Sequence, residues 1–127
     1  MIFALGLAAF ALAACGPFGG ESDQDQAETA VTELIEARND RDFERVCELL
    51  AASQLDKFRQ ADTTCEEALP SLADRGVTTT IRVDEVRVSG ERATVDATVN
   101  RDGQAGQAQT ILLLKEDGDW KVSQVGF

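Results

Sequence analysis

The chain contains no histidine and no tyrosine. Histidine is the side chain whose ordinary pKa places its charge change near neutrality, so nucleophile–base dyads built on imidazole are excluded, and the common phenolic hydrogen-bond donor goes with tyrosine. Zinc is disfavoured for the same reason, because two cysteines without histidine cannot close a tetrahedral structural site. Positive charge is scarce: 12 Lys and Arg face 23 Asp and Glu, a net charge of -11 over 127 residues. Nucleic acid and anionic headgroups are both held by Lys and Arg set against phosphate, so neither is an expected partner of so acidic a surface. Gly90, Gly103, Gly106 and Gly118 are scattered turn glycines, with no glycine-rich loop opening a helix. Phosphate cradling has no support.

What the chain does have at its start is an apolar run from Met1 that closes on Leu12, Ala13, Ala14, Cys15 and Gly16. Ile2 to Ala14 has the length of a signal-peptide apolar region and falls short of the roughly 17 residues of a spanning helix. A small-residue site followed directly by cysteine resembles the lipobox of bacterial lipoproteins. That resemblance implies thioether lipidation of Cys15, cleavage just before it, and a protein held by its acyl chains on the extracytoplasmic face of the cell membrane. The run departs from the usual signal in one respect, since no Lys or Arg follows Met1. A buried core helix is the weaker alternative because the run is apolar all round, and an uncleaved anchor is weaker because of its length.

Three segments follow from this: a signal peptide over 1-14, a lipidated cysteine with a flexible tether over 15-26, and one domain over 27-127. Pro17, Gly19, Gly20 and the polar residues from Ser22 to Gln26 give the tether its composition. With Cys15 assigned to lipid, Cys47 and Cys65 are an even, closely spaced pair in an exported chain, read as a disulfide, with two buried free thiols as the alternative.

Ala27, Ala30, Val31, Leu34 and Ile35 recur at helical spacing. Asn39-Asp40-Arg41-Asp42 stops that helix, and Phe43, Val46, Cys47 and Leu50 form a second apolar stripe. Ser53 with Asp56, and Thr63 with Glu66 or Thr64 with Glu67, read as starts of two short helical pieces, closed by Pro70 and Gly76. Beyond Gly76 the apolar period becomes two. Ile81 and Val83 are odd while Val86 and Val88 are even, which predicts a bulge near Asp84 or Glu85. Ala93 to Val99 alternates, Thr110 to Leu114 reads as a central strand covered on both faces, and Asp117-Gly118 turns into Trp120, Val122 and Val125. The expected fold class is α+β, helices packed on a bent four-stranded antiparallel sheet.

The break at Asn39–Phe43, the Cys47 after it, the long bent hairpin and the closing Asp117-Gly118-Asp119-Trp120-Lys121-Val122 together resemble an NTF2-like (cystatin-like) domain. More narrowly they are similar to DUF4878-like or lumazine-binding-like lipoproteins of Gram-positive bacteria, especially actinobacteria. The resemblance implies a cone in which a curved sheet wraps helices and often leaves a pocket; dimers are common for the fold, so a homodimer is one expectation.

For chemistry, Asp84, Glu85 and Asp96 are the strand carboxylates that could act as a pocket base, with Arg82 or Arg92 as electrostatic partner; the alternating position of Asp96 and the bulge position of Asp84 and Glu85 read instead as a solvated face. Asn100, Asp102 and Gln104 begin like a calcium loop, but Ala105 and Ile111 stand where its glycine and closing glutamate belong. Trp120 reads as core. No catalytic residue, metal or cofactor is assigned. The expectation is a non-enzymatic, lipid-anchored module of the cell envelope that takes a small ligand or an envelope protein, with a pocket-carboxylate enzyme and a structural accessory subunit as rivals.

Overall fold

A computed structural model describes residues 22–73 and 76–124. The signal segment, the lipobox with Cys15, the tether up to residue 21, and Val125 lie outside the described residues. Ser22 caps the first helix, its Oγ accepting from Asp25 N, so α1 runs Asp23–Asn39. Asp23 to Gln26, which composition assigns to the tether, therefore form its first turn. Two acidic residues there suit the positive end of the helix dipole.

Arg41 takes a left-handed backbone, φ 56°, and Asp42 then accepts from Arg45 N to start α2, Phe43–Leu49. The break expected at Asn39–Asp42 is thus a helix stop followed directly by a cap. α3, Ala52–Gln60, begins without a side-chain cap of its own. Its first N–H instead donates to the Glu116 carboxylate at 3.1 Å, so the expected Ser53 start is corrected: a distant residue supplies what Ser53 was read to supply. α4, Cys65–Leu72, is capped by Thr64 Oγ1 accepting from Glu67 N. Pro70 lies inside α4 rather than ending it, and costs the helix only the one hydrogen bond that its missing N–H would have made to the residue four positions earlier.

The strands β1 (Thr79–Ser89), β2 (Arg92–Arg101), β3 (Gln107–Glu116) and β4 (Asp119–Gln124) form one antiparallel sheet in sequential order. The β1–β2 register shifts between Val83 and Glu85, which is the predicted bulge, and it bends the sheet around the helices. Asp117 and Gly118, at φ 53° and 83°, make the two-residue turn into β4.

The inner face of the sheet carries Val95, Ile111, Leu113 and Val122, all fully buried against Val31 of α1. Each such side chain contributes roughly 1.5–3 kcal/mol by leaving water. The free edge of β4 is closed by Ala51 N donating to Val122 O at 2.8 Å. One expectation fails here. Leu112 on the outer face is 37% exposed, so β3 is covered on one side only. The helices α1, α2 and α3 pack on the sheet from the side of its buried face.

Candidate functional site

The bent sheet and α1 leave the other helices to close one end of the core, and a cleft of about 230 Å³ opens between them. Leu34 of α1, Val46 of α2 and Leu50 form its floor and are buried. Phe43, Phe58, Leu69 and Leu72 form its walls and rim. Leu72 is 64% exposed, the most exposed large apolar side chain among the described residues. Ala73 and two polar residues, Arg38 and Gln54, complete the lining, and Gln54 Nε2 donates to Ser123 O on β4. Outside the cleft mouth, the Arg41 guanidinium lies 4.9 Å from the Phe43 ring centroid, a cation–π contact that fixes the ring at the opening.

A second depression, about 520 Å³, is polar and lies between α1, α2 and the β3–β4 turn. Its arginine and its glutamate are spent on one another. Arg45 donates to Glu48 and to Glu33, and these hydrogen bonds raise its pKa above the ordinary arginine value. Lys121 Nζ donates to the Glu48 carbonyl. Trp120 lines this groove from within the core, as expected of a packing residue, with the Lys115 ammonium 5.6 Å from its ring centroid. Its indole Nε1 has no acceptor among the described residues.

Cys47 and Cys65 are joined as a disulfide that ties α2 to α4, in agreement with the sequence reading. The strand carboxylates are elsewhere. Asp84 sits on the outer face of the sheet, accepting from Arg82 Nε at 2.9 Å and Thr98 Oγ1 at 2.8 Å. The Thr98 hydroxyl first and the Arg82 guanidinium second hold its carboxyl below the usual carboxylate range. Asp96 pairs with Arg87 at 3.1 Å and accepts from Thr110, while Glu85 lies 3.5 Å from Arg87. None of the three lines the cleft. Asp102 is occupied by Thr78, accepting its N–H at 2.9 Å and extending the hairpin rather than forming a calcium loop. Among the described residues no group of three potential ligands could hold a metal ion.

The cleft-forming residues of α3 and α4 were not legible as a site. Their only signals are the apolar pairs Leu55/Phe58 and Leu69/Leu72 at three-residue spacing, each too short to define a helix face.

No protein-family profile and no curated protein matches the chain in sequence. Solved structures do match it in fold. A candidate dehydratase of the NTF2-like family from Streptomyces avermitilis aligns with a TM-score of 0.57 at 20% identity, over 79% of this chain and 90% of that one. A candidate NTF2-like transpeptidase from Campylobacter jejuni aligns at 0.55 and 17% identity, over 76% and 96%. A candidate ketosteroid isomerase from Kribbella flavida aligns at 0.50 and 21% identity, over 82% and 77%. The chain therefore has an NTF2-like fold, α+β with helices on a curved antiparallel sheet. These likenesses also correct the expectation that the domain is not an enzyme. The fold is one that a candidate dehydratase and a candidate ketosteroid isomerase share, so the fold does not exclude catalysis.

Proposed function

We propose that the chain is a lipid-anchored protein of the extracytoplasmic membrane face whose NTF2-like domain takes a small, uncharged, apolar molecule into the cleft between α1 and the α3–α4 segment. The observation that carries this reading is the cleft itself: an aliphatic floor, two phenylalanines and an exposed leucine rim in a chain whose surface is otherwise strongly acidic. Such a rim remains in water at a cost unless something covers it. The volume bounds the occupant. A cavity of about 150 Å³ lined by aliphatic and aromatic side chains accepts benzene, whereas drug-sized ligands occupy about 300 Å³ or more. At about 230 Å³ the cleft suits a single ring or a short branched chain. The anchor rests on Leu12–Gly16 and agrees with a disulfide pair suited to an oxidising compartment.

Mass spectrometry of the protein extracted gently from its own membranes, native and denatured, tests both halves. The expected denatured mass begins at Cys15, carries acyl chains and lacks two hydrogens, while the native ion carries one additional small molecule. A denatured mass retaining Met1 contradicts the anchor. A bare native ion contradicts the ligand.

A further inference from the structure

We propose that the Cys47–Cys65 disulfide is the strap that holds α3–α4 over the cleft and thereby limits the size of molecule admitted, a role that rests on the cleft being the ligand site. From Ala52 to Ala73 the only buried residue is Cys65 itself. α3 buries nothing, and Leu55, Phe58 and Leu69 are only partly covered where they lean on the core. A segment with so few buried apolar contacts opens locally at low cost, well before the core does.

The two ends of this segment are held differently. Near Ala51 it is tied to the sheet through Ala51 N to Val122 O, Ala52 N to Glu116, and Gln54 to Ser123. At α4 a polar tie runs to the α1–α2 turn, Arg41 Nη2 to Pro70 O at 3.4 Å, at the long end for a hydrogen bond. The covalent tie is the disulfide, and its other end, Cys47, is fixed among the buried residues of α2. The floor, with Leu34 and Val46, belongs to the core and does not yield. The spacing between α4 and that floor, and so the opening of the cleft, is thus set where α4 is strapped down. Both cysteines also line a surface groove with Arg59 and Thr64, which gives a reductant an approach. A dithiol that reduces the bridge supplies two electrons and two protons, leaving two thiols on the protein and a disulfide on the reductant. α4 is then released and the cleft widens.

The test uses the full lipidated protein in nanodiscs, oxidised and reduced with a dithiol, read by hydrogen exchange and by photolabelling with phenyl azide, one ring, and benzophenone, two. Reduction is expected to speed exchange in α4 by about tenfold or more over an exchange time short enough that Ala93–Val99 of β2 stays protected in both states. Phenyl azide labels peptides of α1 and α2 in both states, and benzophenone labels them only after reduction. A Cys47→Val, Cys65→Ala double variant, which keeps the core filled, behaves as the reduced protein. With the bridge intact, Arg41→Ala changes α4 exchange by less than about twofold.

Equal benzophenone labelling in both states, unchanged α4 exchange, or a large rise in Arg41→Ala each overturn the strap. Loss of protection in β2 together with α4 overturns it as well, because the bridge would then hold the whole domain. If neither probe labels the cleft while α4 exchange still rises, the ligand site and the size limit fall and the strap alone stands.

Discussion

Asn39 and Thr79 pair as two strand residues would: Asn39 Nδ2 donates to the Thr79 carbonyl at 2.7 Å, and the Thr79 N–H donates to Asn39 Oδ1 at 2.9 Å. One amide at the end of α1 thus satisfies both backbone groups of the first residue of edge strand β1. Thr79 is buried, so neither group has ready access to water. Asn39→Ala is expected to cost about 1–3 kcal/mol in denaturant unfolding, the usual penalty for stranding buried polar groups. Asn39→Asp keeps one acceptor and loses the donor, and should fall between the two.

Gly106 lies where a side chain has no room. A Cβ there would stand 2.4 Å from Thr98 Cγ2 and 2.8 Å from Asn100 Oδ1. Thr98 cannot simply rotate away, because its hydroxyl is bonded to Asp84 and Arg82. Gly106→Ala should destabilise by about 1–3 kcal/mol through overpacking. In a Thr98→Ala background, measured by the same unfolding curves, that penalty should shrink, since the two positions are coupled.

The disulfide closes a loop between residues 18 apart in sequence. Breaking it is expected to lower stability by about 3 kcal/mol in the chain-entropy description. Alkylation mapping of the unreduced protein should leave both Cys47 and Cys65 unlabelled. Labelling of both without reductant would contradict the bond.

Asp84 provides a pH signature. Its folded pKa is lowered by Thr98 and Arg82, so the folded state binds the proton less readily than the unfolded state. The contribution is present above the unfolded carboxylate value of about 3.9 and is lost as pH falls through the lowered folded value. Carbon-detected NMR titration should find Asp84 below the ordinary aspartate value. Thr98→Val should bring it back toward the ordinary value by more than Arg82→Gln does. Between pH 6 and pH 8, on the order of the neutral range, Asp84→Asn should show no change of stability with pH.

The elements that could be read from residues alone are those with long periodic patterns. The helix stop at Asn39–Asp42, the bulge at Asp84–Glu85 and the Asp117–Gly118 turn all rest on local backbone chemistry, which the residues at those positions carry themselves. The start of α3 was hidden because its cap, Glu116, is 64 residues away. The exposed face of β3 was hidden because a run such as Ile111–Leu114 fits either one covered face or two; only the placement of the helices α1, α2 and α3 on one side decides it. The cleft was hidden for a related reason. It is built from two residues on each of four helices, and no one segment carries its pattern.

The most direct test of the account is NMR titration of the oxidised full-length protein with toluene, a single-ring probe, observing intermolecular NOEs to assigned methyl groups. The account predicts saturable binding with NOEs to Leu34, Val46, Leu50 and Leu69, and none to Leu112 on the outer face of the sheet. NOEs centred on Leu112, or shifts that spread over the surface without saturating, would contradict the assignment of the helix-side cleft as the ligand site.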